Sequence, residues 1–211
     1  MDRNQQMLDL MALGPVIPVL VIEEADQAVP LAQALVAGGL RVLEVTLRTP
    51  VALECIARIA ADVPDAIVGA GTVNRPIDAD AARQSGAKFL VSPGSTAALL
   101  DEMDKTHLPY LAGAVTASEV LGLLERGLTA LKFFPAEPAG GINYLKALAG
   151  PLPEIRFCPT GGIDLAKAKQ YLALPNVPCV GGSWVVPKEA LAAGDYARIE
   201  TLAREAASLT P

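Results

Sequence analysis

Eight short β-like runs alternate along this chain with stretches whose apolar residues recur at helical spacing, and this alternation narrows the fold more than any other feature. The runs are Val16–Ile22, Val42–Leu47, Ile67–Ala70, Lys88–Val91, Tyr110–Val115, Ala130–Phe134, Ile155–Cys158 and Cys179–Val180. Between them, Ala28–Ala37, Ala52–Ala61, Asp78–Ser85, Thr96–Met103, Ser118–Glu125, Ile142–Leu148 and Ala166–Leu172 read as amphipathic helices. A strand followed by a helix of about ten residues is a βαβ unit, and such units in series require a parallel sheet. Eight of them within 211 residues predict a single (β/α)8 TIM barrel, with residues 1–211 as one domain; an open doubly wound sheet is the alternative. Asn4–Leu13 reads as an extra N-terminal helix, and Asp195–Ser208 as a closing one. Gly38-Gly39, Gly86 and Gly127 each follow a helical stretch, where a left-handed cap ends a helix.

Composition removes several function classes. Hydrophobic residues make up 52% of the chain, enough for a large core, and the 18 glycines and 17 prolines fit many tight turns. A net charge of −6 argues against a general nucleic-acid or anionic-membrane surface, so an anionic substrate would need a local cluster of donors. No apolar run reaches membrane-spanning length, and the polar start Met1-Asp2-Arg3-Asn4-Gln5-Gln6 is not a signal peptide. Cys55, Cys158 and Cys179 form no CxxC pair, and reduced thiols in a cytoplasmic protein are the simple expectation. His107 is the single histidine and lies in a polar stretch, so neither a zinc site nor a Ser-His-Asp triad is expected, and no cofactor is called for.

Lys132 is the one charge within Ala130-Leu131-Lys132-Phe133-Phe134-Pro135. A buried ammonium is costly, and a neutral amine attacks ketones, so a lysine in this setting is a candidate Schiff-base former. The alternative is a strand-end lysine that reaches solvent or pairs with a carboxylate. The other strand ends weigh against that. Strand two carries Glu44 and Arg48, strand three ends Gly69-Ala70-Gly71-Thr72, and strand four ends Ser92-Pro93-Gly94. Strand seven runs into Thr160-Gly161-Gly162, and strand eight into Gly181-Gly182-Ser183. In an α/β barrel these ends converge on the active site. Glu44 lies between Leu43 and Val45 and points inward if those two face the helices. There it could move protons, while Arg48 could hold a carboxylate in bidentate fashion. The two glycine pairs follow strands seven and eight, where barrels often bind phosphate, and Ser183 adds a hydroxyl.

Together these segments resemble the 2-keto-3-deoxy-6-phosphogluconate (KDPG) aldolase family. The resemblance rests on Leu43-Glu44-Val45-Thr46-Leu47-Arg48-Thr49, Val68-Gly69-Ala70-Gly71-Thr72-Val73, Val91-Ser92-Pro93-Gly94, Lys132-Phe133-Phe134-Pro135-Ala136-Glu137, Arg156-Phe157-Cys158-Pro159-Thr160-Gly161-Gly162 and Val180-Gly181-Gly182-Ser183-Trp184. It runs from about Pro15 to Glu205. It implies a class I pyruvate aldolase of the Entner–Doudoroff pathway, a lyase, on a (β/α)8 barrel assembled as a homotrimer. Carried over by position, it makes Lys132 the Schiff-base lysine and Glu44 the proton-transfer group. Arg48 and Thr72 would hold the pyruvate-derived carboxylate, Phe134 would line the pocket, and Thr160 would contact a substrate hydroxyl. Gly161, Gly162 and Ser183 would take the phosphate, with Pro93, Gly181 and Gly182 also against the substrate. The sequence departs from the family at Ala112, where a proline is usual before Gly113, a change expected to alter the local pocket shape.

The expected small-molecule partners are a phosphorylated 2-keto acid and pyruvate. 4-Hydroxy-2-oxoglutarate and the galacto epimer are the alternative substrates. A barrel that binds a phosphorylated metabolite without turning it over is a different class of answer, and the lone strand lysine argues against it.

Overall fold

The computed structural model describes residues 2–209. Its strands are β1 (Val16–Leu20), β2 (Val42–Thr46), β3 (Ile67–Gly71), β4 (Leu90–Val91), β5 (Tyr110–Ala114), β6 (Ala130–Phe133), β7 (Arg156–Pro159) and β8 (Val180–Gly182). The α-helices are α1 (Arg3–Met11), α2 (Ala28–Ala37), α3 (Ala52–Asp62), α4 (Pro76–Gln84), α5 (Ala97–Lys105), α6 (Ala117–Leu124), α7 (Gly141–Ala149), α8 (Leu165–Leu172), α9 (Lys188–Ala192) and α10 (Tyr196–Ala207). All strand pairs are parallel, in the order β7-β6-β5-β4-β3-β2-β1-β8. A single parallel bridge, Thr160 to Gly181, spans the remaining seam between β7 and β8. The sheet is a (β/α)8 barrel, and the open-sheet alternative is excluded.

Side-chain alternation sorts each strand into two layers. Leu43 and Val45, Val68 and Ala70, and Ala112 and Ala114 all join the core between sheet and helices. Their neighbours Val42, Phe89, Val91, Leu111, Ala130, Cys158 and Cys179 form a second cluster. The ring of Phe89 lies where a side chain on Gly69 would be, so the lower barrel is filled rather than open. Met7 and Met11 of α1, both fully buried, belong to this second cluster and close the N-terminal end. Burying a methionine of this kind contributes about 1.5–3 kcal/mol. Asn4 fixes the helix in place: its amide donates to Thr129 Oγ1 at 2.8 Å, and its carbonyl accepts from Thr129 N and Ala130 N. The site must therefore lie at the opposite, C-terminal end.

Several boundaries differ from the sequence reading. β4 has two residues because its pairing continues as single bonds, from Lys88 N to Val68 O and from Ser92 N to Leu111 O. β1 stops at Leu20; Ile22 is buried beyond it, and its carbonyl accepts from Thr49 Oγ1. Short helix α9 was not expected. Gly39, Gly86 and Gly127 have φ of +96°, +93° and +78°, the left-handed conformation expected after a helix, whereas Gly38 is right-handed. Ala112 turns its side chain toward the helices, and the inner neighbour is Gly113. All three cysteines are free and buried.

Candidate active site

Lys132 sits on β6 with its neighbours Leu131 and Phe133 packed outward, so alternation turns it into the barrel. Glu44 has the same relation to Leu43 and Val45 on β2. The two side chains meet across the interior, Lys132 Nζ donating to Glu44 Oε1 at 3.1 Å, with 5% and 4% of each exposed. No other hydrogen-bonding partner of either group is found among the described residues. The ammonium also stands 5.4 Å from the centre of the half-buried Phe134 ring, within cation–π range. A buried pair of this kind is poor evidence of stabilisation, because removing two charges from water offsets their attraction. Its position at the C-terminal mouth is what makes it chemically suggestive.

Three glycines let neighbouring groups pack closely at this end of the barrel. A Cβ on Gly71 would fall on the Glu44 carboxylate, and one on Gly113 would collide with the backbone of Pro93. On the far side, a Cβ on Gly181 would meet Thr160 Oγ1. That hydroxyl is buried and has no hydrogen-bond partner among the described residues. A buried unsatisfied hydroxyl is costly in a native fold, and ligand contact is one way of offsetting the cost.

Thr72 follows Gly71 with φ of +57°, a left-handed conformation that a β-branched residue rarely adopts. Backbone strain of about 1–3 kcal/mol at one residue persists where the surroundings hold it. Here Val73 N donates to Val91 O at 3.0 Å, and Leu47 N donates to Gly71 O at 2.8 Å. The conformation brings Thr72 Oγ1 within 3.1 Å of Arg48 Nε, which donates to it. Arg48 is exposed and makes no ion pair among the described residues, so its remaining guanidinium donors are available to a carboxylate.

The loop after β7 contains Gly161 and Gly162, with φ of +107° and +77°. β8 ends at Gly182, against which the Trp184 ring packs so closely that no side chain would fit, and the loop after it begins with the exposed Ser183. The Thr160–Gly181 bridge places these two loops side by side. The structure thus gathers Lys132, Glu44, Phe134, Thr160 and Gly181 inside one mouth. Arg48 and Thr72 stand together on the β2–β3 side, with Pro93 against β5 and Gly161, Gly162, Gly182 and Ser183 on the β7–β8 side.

Two features escaped sequence reasoning. One is the contact of Gly71 with Glu44. The other is a cluster behind the β7 loop, in which Glu137 pairs with Lys167 Nζ at 2.7 Å and accepts from Tyr171 OH at 2.6 Å. The hydrogen bond from Lys167, then that from Tyr171, hold the Glu137 carboxyl below its ordinary range. Burial, then this bond, push the Tyr171 phenol up. Lys167 and Tyr171 are four apart on α8, one face of the helix, and that spacing is the sequence signal for a shared partner.

Comparison with known proteins follows the same lines. Residues 7–202 match the family model described as "Aldolase: KDPG and KHG aldolase". The chain is 54% identical over 197 residues to the 2-dehydro-3-deoxy-phosphogluconate aldolase of Dickeya dadantii, covering 93% of this chain and 92% of that one. It is 52% identical over the same length to the KHG/KDPG aldolase of Escherichia coli K12, with the same coverage. Among solved structures, the KDPG aldolase of Legionella pneumophila, with pyruvate captured as a covalent carbinolamine intermediate, superposes with a TM-score of 0.94 at 45% identity over 99% of both chains. That of Zymomonas mobilis ZM4, with 3-phosphoglycerate, gives 0.92 at 48% identity over 98% of this chain and 97% of that one. This chain belongs to the KDPG and KHG aldolase family and is a lyase.

Proposed function

We propose that this chain cleaves 2-keto-3-deoxy-6-phosphogluconate reversibly to pyruvate and D-glyceraldehyde 3-phosphate through a Schiff base on Lys132. The observation that carries the residue assignment is the buried Lys132–Glu44 pair at the mouth of the barrel. Lys132 passes its ammonium proton to Glu44, the freed amine adds to the C2 ketone, and the carbinolamine takes that proton back from Glu44 and loses water to give a protonated imine. The C3–C4 bonding pair then moves into the imine, while the C4 hydroxyl proton passes to the Glu44 carboxylate. Glyceraldehyde 3-phosphate leaves, and Glu44 returns the proton to C3 of the enamine. Water hydrolyses the new imine, releasing pyruvate and restoring the amine. The iminium is the electron sink throughout.

Arg48 and Thr72 hold the C1 carboxylate in this reading, and Phe134 and Pro93 bound the reacting carbons. Thr160 meets a substrate hydroxyl, supported by its unpartnered Oγ1. The phosphate lies between Gly161-Gly162 and Gly181-Gly182-Ser183. A second substrate, 4-hydroxy-2-oxoglutarate, is favoured by the family's description and by the name of the Escherichia coli relative. We further place residues 1–211 as one aldolase domain of a cytoplasmic homotrimer in the Entner–Doudoroff pathway, a reading supported by the sequence resemblance. Among the described residues, no helix is long and apolar enough to cross a membrane.

Borohydride reduction with pyruvate tests the chemistry. The adduct should map by peptide mass to Lys132 alone and vanish in Lys132→Ala together with turnover. An adduct on another lysine, such as Lys88 or Lys146, would overturn the assignment. For the phosphate, Ser183→Ala and Gly162→Val should lower kcat/KM for the phosphorylated substrate far more than for 4-hydroxy-2-oxoglutarate. Remote binding energy of this kind supports both kcat and KM. An unchanged ratio would reduce both glycine pairs to ordinary turns.

A further inference from the structure

The loop after β7 is fastened from one side. Ala136 N donates to Thr160 O at 2.8 Å, Glu137 N to Gly161 O at 3.2 Å, and Lys167 Nζ to Gly162 O at 3.0 Å. Three consecutive carbonyls are thus held by the segment that follows β6 and by a lysine paired to it. In a planar trans peptide the carbonyl and the next N–H point in opposite directions. Holding the carbonyls of Thr160, Gly161 and Gly162 therefore aims the N–H groups of Gly161, Gly162 and Ile163 away from β6. Among the described residues, neither Gly161 N–H nor Gly162 N–H donates to a protein acceptor.

Two successive glycines would otherwise let these peptide planes rotate, because glycine crosses between positive and negative φ at little cost. The first two carbonyls are held by backbone donors. The third depends on Lys167, which is steered by Glu137 Oε2 at 2.7 Å, and Glu137 in turn is anchored through Oε1 by the fully buried Tyr171. Glu137 also packs against Gly162, where an added Cβ would stand 2.9 Å from its Cγ. The chain of contacts runs from the core, through Tyr171, Glu137 and Lys167, to the Gly162 carbonyl.

We propose that Glu137, Lys167 and Tyr171 are positioning residues for the phosphate end of the substrate. They fix the Gly162 peptide so that its donors face the anion, without touching the reacting carbons. The inference rests on the reading that the phosphate occupies this loop. Lys167 makes its bond on the β6 side, so it acts through the loop rather than as a phosphate ligand. Its loss should be felt in specificity.

The test measures kcat and KM for the phosphorylated substrate and for 4-hydroxy-2-oxoglutarate in Lys167→Met, Glu137→Gln and Tyr171→Phe. Competitive inhibition by inorganic phosphate and borohydride trapping of pyruvate are read alongside. Misplacing one donor to a charged group should raise KM for the phosphorylated substrate on the order of tenfold. Phosphate inhibition should weaken in proportion, while the pyruvate adduct still forms at Lys132. Lys167→Arg should recover most of the loss, and Glu137→Gln combined with Lys167→Met should be no worse than either alone. Lys167 is 40% exposed, so Lys167→Met reports even if Tyr171→Phe fails to fold. Unchanged KM and phosphate inhibition in both Lys167→Met and Glu137→Gln would overturn the proposal, as would an equal loss on both substrates. Ser183→Ala separates the two levels: if it shifts the substrate ratio while the three variants do not, the positioning role alone fails. If Ser183→Ala leaves the ratio unchanged as well, the phosphate reading fails with it.

Discussion

Glu44→Gln separates a proton carrier from a mere counter-ion. The substitution keeps the shape of the side chain and its 3.1 Å proximity to Lys132 Nζ but removes the charge and the basic oxygen. At 3.1 Å two unit charges attract by about 5 kcal/mol at an effective dielectric constant near 20. Breaking a buried pair at one partner typically costs about 3–5 kcal/mol, because the other charge is left buried. A stability loss of that size is expected whether or not Glu44 takes part in the reaction. The kinetics decide. A general base contributes about 100- to 10,000-fold, which is roughly 2.7–5.4 kcal/mol of barrier. Glu44→Gln should therefore still yield the borohydride-trapped pyruvate adduct while pyruvate release slows by that factor. Exchange of pyruvate methyl protons with deuterated solvent should slow similarly if the same group protonates C3 of the enamine, as proposed. Cleavage within a few-fold of wild type, with the adduct formed normally, would refute proton transfer by Glu44 and leave it an ion-pair partner.

Gly71→Ala should displace the Glu44 carboxylate, because the new Cβ would fall on it; pyruvate trapping should persist while kcat drops on the order of 100-fold, and a wild-type kcat would contradict that. Treatment with EDTA should leave turnover intact, since no group of three His, Cys, Asp or Glu residues able to hold an ion is found among the described residues; activity restored by added zinc or magnesium would refute this. Glu119 accepts from Thr116 N at 2.7 Å and Val115 N at 2.9 Å, and the Thr116 bond, then the Val115 bond, lower its pKa from 4.5. Its carboxylate thus stabilises the fold above the unfolded pKa and ceases to do so as pH falls through the lower folded value. Glu119→Gln should cost roughly 0.5 kcal/mol by denaturant titration at pH 7, a small figure because the group is exposed, and the difference should shrink as pH falls below the unfolded carboxylate pKa; a pH-independent difference would contradict the capping role.

How much of this was legible depended on how local each signal is. The barrel could be read from the chain because βαβ periodicity repeats eight times, and some of the helices carry a capping side chain as well. Thr116, Asp164 and Asp195 each accept a bond from a backbone N–H in the first turn of the helix they precede. Lys132 and Glu44 were legible for a related reason: each is one charge in an otherwise apolar strand, and alternation gives its direction. Helix α9 was hidden because five residues carry too little periodicity to register. The Glu137 cluster was hidden because its partners lie thirty or more residues further along, on α8.

The glycines mark a subtler limit. Gly71 and Gly181 read as strand-end residues beside a ligand and Gly113 as part of a strand, yet in the folded chain each also admits a neighbouring group into the space of a missing side chain. Gly71 admits the carboxylate of Glu44, Gly113 admits the backbone at Pro93, and Gly181 admits the hydroxyl of Thr160. Below this level the barrel is filled by Phe89, Leu111 and Val91, and Met7 and Met11 close the end. The same inward-facing alternation thus builds a solid base from large side chains and, beyond it, glycine positions into which neighbouring groups pack closely. A sequence pattern records which residues face inward. It does not record which neighbour fills the space that a missing side chain leaves. Thus Ala112, the departure from the family most visible in the sequence, packs among the helices, while Gly71 packs directly against the carboxylate of Glu44.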